Sequence, residues 1–554
     1  MLPQELADTL GDRALLEEVV SRKPPVVGLT LYSWNSERSA ALARGLKREA
    51  SGTVIVAGGP EVYPDNDWLL EEKAFDLLVC GEAEGLAAAA LDPEGAARLA
   101  RSGRPVVAEA FQKRPGSWPN PYLTGHIAAE KDSSVYVETV RGCSSGCIFC
   151  SYRRSHPRPR VQPAEEVLRL LGRLPGGELT FLDPTFNTRP DVRRLLAGMR
   201  ELDRKLFAEV RGEPIDAATA ESMADAGFAG VEVGLQSTDP EVRRLCGRGG
   251  DPQAAMRGAA NLRSAGVAPV VDLIIGLPGD TPRRSVRSAA ELYDRGLAGD
   301  VQVFELSVLP GTEIRRRGEE LGIRYMERPP YLVSSTPGYP SPKALSDARM
   351  RIADMLGYGL FVDTRPALAD NWPGDEKADA SLPPPSTPPP SRRHGRLILA
   401  GEDLWADRRN LLDHVHRRID ADPYCVLDVV LRPRMPFPLD LLDLIADIKP
   451  PQDYTERLAA KLGTRGRLRV SVMVDADRFP EDWLAAAAEL VPVVLDLQSP
   501  RELPGKLAAA GVGIRLPGRW DTRRLRDAVK DPEGVFFRNM SMEAEWSSSI
   551  LGLR

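Results

Sequence analysis

The chain lacks any run approaching the roughly 18 apolar residues that a membrane-spanning helix requires, so no membrane association is expected. Residues 1–8 hold neither a basic n-region nor an apolar h-region; no secretory signal is expected, and the expected setting is the reducing cytoplasm. Basic charge is not in excess either. Lys and Arg number 73 against 79 Asp and Glu, a formal net charge of −6, which argues against nucleic acid as a partner. The arginine groups at 243–244, 283–284 and 315–317 read as solvated helix faces. Cysteine is scarce: six in 554 residues make no disulfide framework. A chain of this length exceeds one hydrophobic core, and about three domains are expected.

What is present is a cluster. Cys143, Cys147 and Cys150 fall in the spacing C-x3-C-x2-C. An iron–sulfur cube normally takes one thiolate per iron. Three thiolates leave the fourth iron open to a ligand that is not protein. Gly142 and Gly146 let the backbone wrap closely around an inorganic cube. Zinc is the alternative, but it wants four tetrahedral ligands, typically as two Cys or Cys/His pairs. His156, the nearest histidine downstream, stands without a partner in an Arg/Pro-rich stretch, and no second pair occurs. Cys80, Cys246 and Cys425 sit in apolar or helical contexts and are expected to be buried, idle thiols.

The remaining pattern is α/β. Apolar, β-branched runs at 25–32, 53–57 and 75–80 alternate with a helix over 36–49, and the last two end in glycine turns, Gly58-Gly59-Pro60-Glu61 and Gly81-Glu82. They predict a small parallel sheet whose ligands lie beyond the carboxyl ends of the strands. Six further strands are expected at 134–141, 178–183, 206–211, 230–235, 269–275 and 301–308, with helices at 164–173, 190–203, 216–226, 252–265 and 281–295. Six β/α units make a partial TIM-like barrel, with its chemistry at the C-terminal strand ends. Residues 379–393 read as a Pro/Ser-rich linker. Strands near 396–400, 425–431, 467–474, 492–497 and 512–516 predict a further α/β domain. Its polar strand ends, Asp475, Asp477, Asp496 and Gln498, read either as helix caps and turn residues or as the lining of a site.

The cysteine loop, placed after the first of the six β/α units, resembles that of the radical S-adenosylmethionine (SAM) superfamily, whose [4Fe–4S] cluster binds SAM at its open iron. The resemblance implies Cys143, Cys147 and Cys150 as cluster ligands and Phe149 as the aromatic flanking the SAM adenine. It places Asp183 near the SAM amino group, and Glu232, Gln236 and Ser237 near the ribose and carboxylate. Arg248 then pairs with the methionine carboxylate, and Gly276 and Pro278 belong to the adenine-contacting turn. It also implies an external electron donor of the flavodoxin or ferredoxin type.

The N-terminal motifs Tyr32-x-Trp34-Asn35, Gly58-Gly59-Pro60-Glu61 and Gly81-Glu82 resemble the cobalamin-binding domain of cobalamin-dependent radical SAM enzymes, most of which are methyltransferases. That resemblance implies a flavodoxin/Rossmann-like domain holding cobalamin through Tyr32, Trp34, Asn35, Gly58, Gly59, Pro60, Glu61, Gly81 and Glu82. The family's D-x-H-x-x-G loop is absent, and no histidine precedes His126, so cobalamin is expected base-off without a histidine ligand. The family's usual first strand and helix have no counterpart ahead of residue 25, so a shortened sheet is expected. The implied reaction is transfer of a methyl group from SAM, through methylcobalamin, to an unactivated carbon or phosphorus of a small molecule or peptide. The alternatives are rearrangement, cyclisation or simple hydrogen abstraction by a 5′-deoxyadenosyl radical with the N-terminal domain a relic, or a scaffold that senses SAM. A methylthiotransferase is disfavoured because residues 1–142 hold only Cys80. The expected organisation is 1–115 cobalamin-binding-like, 131–325 barrel, 326–378 helical extension, 379–393 linker and 394–554 C-terminal α/β domain of unassigned role. No acid–base catalytic residue is identified.

Overall fold

The structure is a computed structural model describing residues 2–108, 120–129, 133–152, 159–175, 177–297, 299, 301–357, 365–373, 375–386, 392–475, 478–497, 512–517, 525 and 532–550. The chain forms two compact units. One comprises Pro25–Ser36 and Val54–Leu360; the other comprises Leu2–Pro24, Glu37–Thr53 and Phe361–Arg554. Residues 1–115, expected as one domain, are thus shared between the units. The N-terminal strands fall in the first, while the helices Gln4–Thr9 and Asp12–Ser21 and nearly all of Ser36–Glu49 group with the C-terminal half. No helix among the described residues is long and apolar enough to cross a membrane.

The first unit opens with four parallel strands in chain order: β1 (Val26–Thr30), β2 (Val54–Gly58), β3 (Leu77–Cys80) and β4 (Val106–Val107). β3 is buried on both faces, which its unbroken apolar run requires. A second parallel sheet follows, again in chain order: β5 (Ser134–Val137), β6 (Glu178–Phe181), β7 (Lys205–Val210), β8 (Phe228–Gln236), β9 (Ala268–Ile275) and β10 (Val301–Glu305). Sequential parallel order makes every right-handed crossover step the same way and puts the connecting helices on one face, the strand order of an open β/α barrel. No ladder joins β10 to β5 among the described residues. Side chains alternate along each strand. In β8, Val231, Val233 and Leu235 pack in the core with the surrounding helices, while Glu232, Gly234 and Gln236 take the opposite face.

Among the described residues of this unit, five helices begin with a cap–proline pair: Asp92-Pro93, Asp239-Pro240, Asp251-Pro252, Thr281-Pro282 and Ser341-Pro342. In each, the cap side chain accepts from a backbone N–H of the first turn, and proline pre-sets the first helical φ. The 326–378 segment is not the helical extension expected. It holds the helix Pro342–Leu356, the strand Val333–Ser335 and the strand β11 (Asp375–Asp379).

β11 is the first of seven parallel strands in the second unit, so this sheet begins ahead of the Pro/Ser-rich segment. The others are β12 (His394–Gly401), β13 (Val426–Pro433), β14 (Leu468–Val474), β15 (Val493–Asp496), β16 (Gly513–Leu516) and β17 (Val535–Phe537), again in chain order. β11 was missed because Asp375–Asp379 carries four charged residues in five; it is recruited by its ladder to β12. Residues 387–391 of the linker, His156, Asp477 and Gln498 lie outside the described residues.

Candidate active site

The cysteine loop leaves β5 and crosses the C-terminal ends of the barrel strands. It is pinned from both sides: Ile148 N–H donates to Cys246 O at 2.9 Å, and Ile314 N–H donates to Ile148 O at 3.0 Å. Gly247 has φ +66°, and a Cβ there would lie 2.3 Å from Gly146 O, so only glycine permits this close approach. No disulfide joins the three cysteines, and all three line one pocket of about 460 Å³.

Three guanidiniums support this loop. Arg211 Nη1 donates to Ser145 Oγ at 3.0 Å, Arg211 and Arg243 share Glu213 Oε1 at 2.9 and 2.8 Å, and Arg248 Nη2 donates to Gly234 O. Arg243, read from sequence as part of a solvated face, is 2% exposed. Burial raises the Cys147 thiol, opposed chiefly by Arg248 and, less strongly, by Arg211 and Arg243. Burial pushes Cys150 up to about 11. Such thiols ionise when a metal replaces their protons, and nearby cations favour the thiolate. Three adjacent thiols facing one pocket with cations behind them fit a three-thiolate iron–sulfur site.

The pocket wall is acidic. Glu209 on β7 stands in register with Glu232 on β8, and Asp272 on β9 lies next to Gly234. Burial pushes Asp272 up to about 9, helped by a hydrogen bond with Glu232, and pushes Glu209 up to about 7. Arg248 Nε, Gln236 Oε1 and Asp272 Oδ1 are buried without a hydrogen-bond partner. Buried polar atoms are seldom left unmatched, so the wall is prepared for a polar, partly cationic ligand.

Among the residues implied by resemblance, Phe149, Glu232, Gln236 and Arg248 line this pocket with the cysteines. Four others do not. Asp183 is fully buried, and its carboxylate accepts from Thr139 N at 2.6 Å, Val140 N at 2.8 Å and Thr139 Oγ1. It ties β6 to the chain entering the cysteine loop, while the next residues, Pro184 and Thr185, reach the pocket. Ser237 accepts from Asp239 N at 3.1 Å and sets up the following helix. Gly276 has φ +86°, and its N–H donates to Asp280 at 3.1 Å; with buried Pro278 it forms the turn behind the wall. Glu209, Asp272 and Tyr152 were not singled out as site residues. The signal for Glu209 and Asp272 is the recurrence of acidic side chains near the ends of successive strands; Tyr152 has none beyond its closeness to Cys150.

The glycine turns of the N-terminal sheet meet the same loop. Gly59, Pro60, Gly81 and Glu82 line a second pocket of about 400 Å³ with Arg141 and Gly142. Ser151 and Tyr152, the two residues after Cys150, line both pockets. Gly59 has φ +110°, and a Cβ would sit 2.6 Å from Leu31 O. Glu82 is paired to Arg160 and, at 3.4 Å, to Arg141. The two glycine turns leave backbone free of side chains beside Glu82, Glu84 and Arg141, a surface on which a flat group can lie close to the main chain. Glu61 does not face it: the carboxylate is 2% exposed and accepts from the Tyr331 hydroxyl. Asn35 holds a turn, accepting from Tyr32 N at 2.8 Å and donating to Thr30 O at 3.1 Å. Gly58 continues β2. Tyr32 and Trp34 stack at 4.6 Å, are exposed, and line neither pocket.

Comparison with known proteins matches this layout. Residues 137–291 match the model of the radical SAM superfamily, and residues 6–91 match that of the B12 binding domain. The 2-(S-pantetheinyl)-carbapenam-3-carboxylate methyltransferase of Streptantibioticus cattleyicolor is 28% identical over 361 residues, 58% of this chain and 52% of that protein. The cobalamin-dependent radical SAM methyltransferase TokK of Streptomyces tokunonensis is 26% identical, covering 55% of this chain and 51% of its own. The chain thus spans about half the length of each. The structure of the radical SAM methyltransferase TsrM from Kitasatospora setae, with cobalamin and a [4Fe–4S] cluster, superposes over 56% of this chain and 69% of its own, with 18% identity and a TM-score of 0.44. With a B12-binding domain at 6–91 and a radical SAM domain at 137–291, the chain carries the domain pair of cobalamin-dependent radical SAM enzymes, whose cofactors are a [4Fe–4S] cluster, SAM and cobalamin.

Proposed function

We propose that the chain transfers a methyl group from SAM, by way of cobalamin, to an unactivated carbon or phosphorus of a small molecule or peptide. The observation that carries this reading is the junction at Ser151 and Tyr152, which line both the cysteine pocket and the glycine-turn pocket. Two cofactors held there would lie next to each other, as a methyl relay requires. The two named relatives are methyltransferases, which supports the same reaction class.

In this reading Cys143, Cys147 and Cys150 hold the cluster, with Arg211, Arg243 and Arg248 offsetting its negative charge. SAM carries an ammonium and a sulfonium as well as a carboxylate. Arg248 takes the carboxylate, while Glu209, Glu232 and Asp272 supply the negative wall for the cationic centres. Phe149 and Gln236 complete the SAM lining; Asp183, Ser237, Gly276 and Pro278 shape it from behind. Gly59, Pro60 and Gly81 present backbone to the corrinoid. The bound cluster supplies an electron, drawn from a flavodoxin- or ferredoxin-type donor, and cobalamin supplies a methyl carrier.

The test is anaerobic purification with both cofactors supplied, followed by metal analysis and incubation with methyl-deuterated SAM and candidate substrates. About four irons and one cobalt per chain with deuterated product are expected. A full iron complement without cobalt, and SAM cleavage without labelled product, would overturn methyl transfer.

A further inference from the structure

The seven-stranded sheet of the second unit carries its main apolar core on one face. Leu397, Leu399, Val429, Leu431, Val472 and Val493 pack with its helices. The opposite face carries a small apolar cluster that includes Ile398, Val430 and Met473, and beside it a pocket of about 580 Å³. At one end of this face Asp496, 3% exposed, receives three guanidiniums: Arg432 at 2.8 Å, Arg515 at 3.0 Å and Arg538 at 2.9 Å. Arg515 also reaches Asp370 at 2.5 Å, but that carboxylate is 58% exposed. Three cations therefore meet one buried and one solvated carboxylate; of the other carboxylates lining the pocket, Asp375 is held by Arg396 and Glu402 by Arg434, while Asp379 and Asp407 stand on the β11 and β12 side.

Asp496 is thus neither a helix cap nor a turn residue. Arg515 is itself 3% exposed, lines the pocket, and its Nε has no hydrogen-bond partner among the described residues. Lys377 lines the same pocket and makes no ion pair among the described residues. Desolvating guanidiniums is unfavourable unless anions match them, and the planar fork of arginine matches carboxylate and phosphate oxygens. We propose that this pocket is a second ligand site, taking a small molecule with a carboxylate or phosphate group on Arg432 and Arg515 and an apolar part on Ile398, Val430 and Met473. Its volume suits a metabolite-sized ligand. The proposal stands independently of methyl transfer, because every residue it uses lies in the unit without the cluster cysteines.

The experiment is calorimetric titration of the cluster-loaded full chain at low ionic strength, with inorganic phosphate in one arm and glutarate in the other. Saturable binding of at least one is expected; phosphate alone would identify a phosphorylated ligand, and glutarate alone a carboxylate. Arg432→Gln, at a side chain 39% exposed and so tolerant of change, should weaken that binding at least tenfold while iron content stays at the parent level. Lys377→Gln should weaken it by a smaller factor. No saturable binding of either probe to the parent protein, or equal binding in parent and Arg432→Gln, would overturn the assignment.

Discussion

Asp272→Asn should make the SAM-free protein more stable, and increasingly so as pH rises. Asp272 is 6% exposed, one carboxyl oxygen lacks a partner, and burial with the Glu232 hydrogen bond pushes the group up to about 9. An unfolded aspartate titrates near ~4. The folded value is raised, so the stability contribution is fully present below ~4 and is lost progressively as pH climbs toward about 9. Each pH unit in that window removes ~1.4 kcal/mol, giving a ceiling of ~4 kcal/mol at pH 7. Asparagine keeps the shape and a hydrogen bond to Glu232 but cannot ionise, so the variant should lack this slope. A gain of ~1–3 kcal/mol at pH 8, shrinking toward zero near pH 4–5, corresponds to several degrees in Tm. Thermal unfolding of SAM-free parent and variant across pH 5–9 reads the difference directly. Parallel curves, or a variant less stable throughout, would refute the reasoning that Asp272 is held neutral by its surroundings. The same variant should bind SAM more weakly, because asparagine cannot give up a proton when a cationic ligand arrives beside it, as Asp272 can.

Three further outcomes are expected. Alanine at Cys143, Cys147 or Cys150 should each bring iron from about four per chain to near zero, read by metal analysis after anaerobic reconstitution; iron retained in any one would remove that residue from the ligand set. Tyr331→Phe should lower the urea midpoint by an amount equivalent to ~2–4 kcal/mol. Its fully buried hydroxyl donates to Glu61 and accepts from Asn66 and Trp68, at 3.2 and 3.0 Å, and phenylalanine removes all three bonds; an unchanged midpoint contradicts the network. Gly59→Val should destabilise the N-terminal sheet by ~1–3 kcal/mol as well as lowering cobalt content, because φ +110° and the contact with Leu31 O both exclude a side chain. Gly58→Ala, whose Cβ would meet Val79 O at an ordinary 3.5 Å, should be tolerated; equal Tm values for the two variants would contradict this.

Local features were legible in the sequence. The C-x3-C-x2-C spacing, the glycine turns and the alternation of apolar strands with amphipathic helices are each carried by residues a few positions apart, and covalent spacing fixes their geometry. Phe149, Glu232, Gln236 and Arg248 reach the pocket for the same reason: each sits at a strand end or loop whose place follows from the β/α order. Asp183, Ser237 and Glu61 stand at equally suggestive positions and yet turn into the protein, because Thr139, Asp239 and Tyr331 offer them partners. Asp239 lies two residues from Ser237, a local turn contact, but Thr139 and Tyr331 lie 44 and 270 residues from Asp183 and Glu61, where no local pattern announces them.

The sequence alone therefore determined that a three-cysteine loop follows the first strand of a parallel β/α barrel, with a glycine-turned sheet ahead of it. Tertiary structure alone decided which polar side chains face the pocket. It brought Glu209, Glu232 and Asp272 onto one wall and set three arginines behind the thiols. It also recruited the charged strand Asp375–Asp379 into a sheet and gathered Arg432, Arg515 and Arg538 around Asp496. The physical reason is that facing is a property of register and curvature across strands far apart in the chain, whereas spacing is a property of the chain itself.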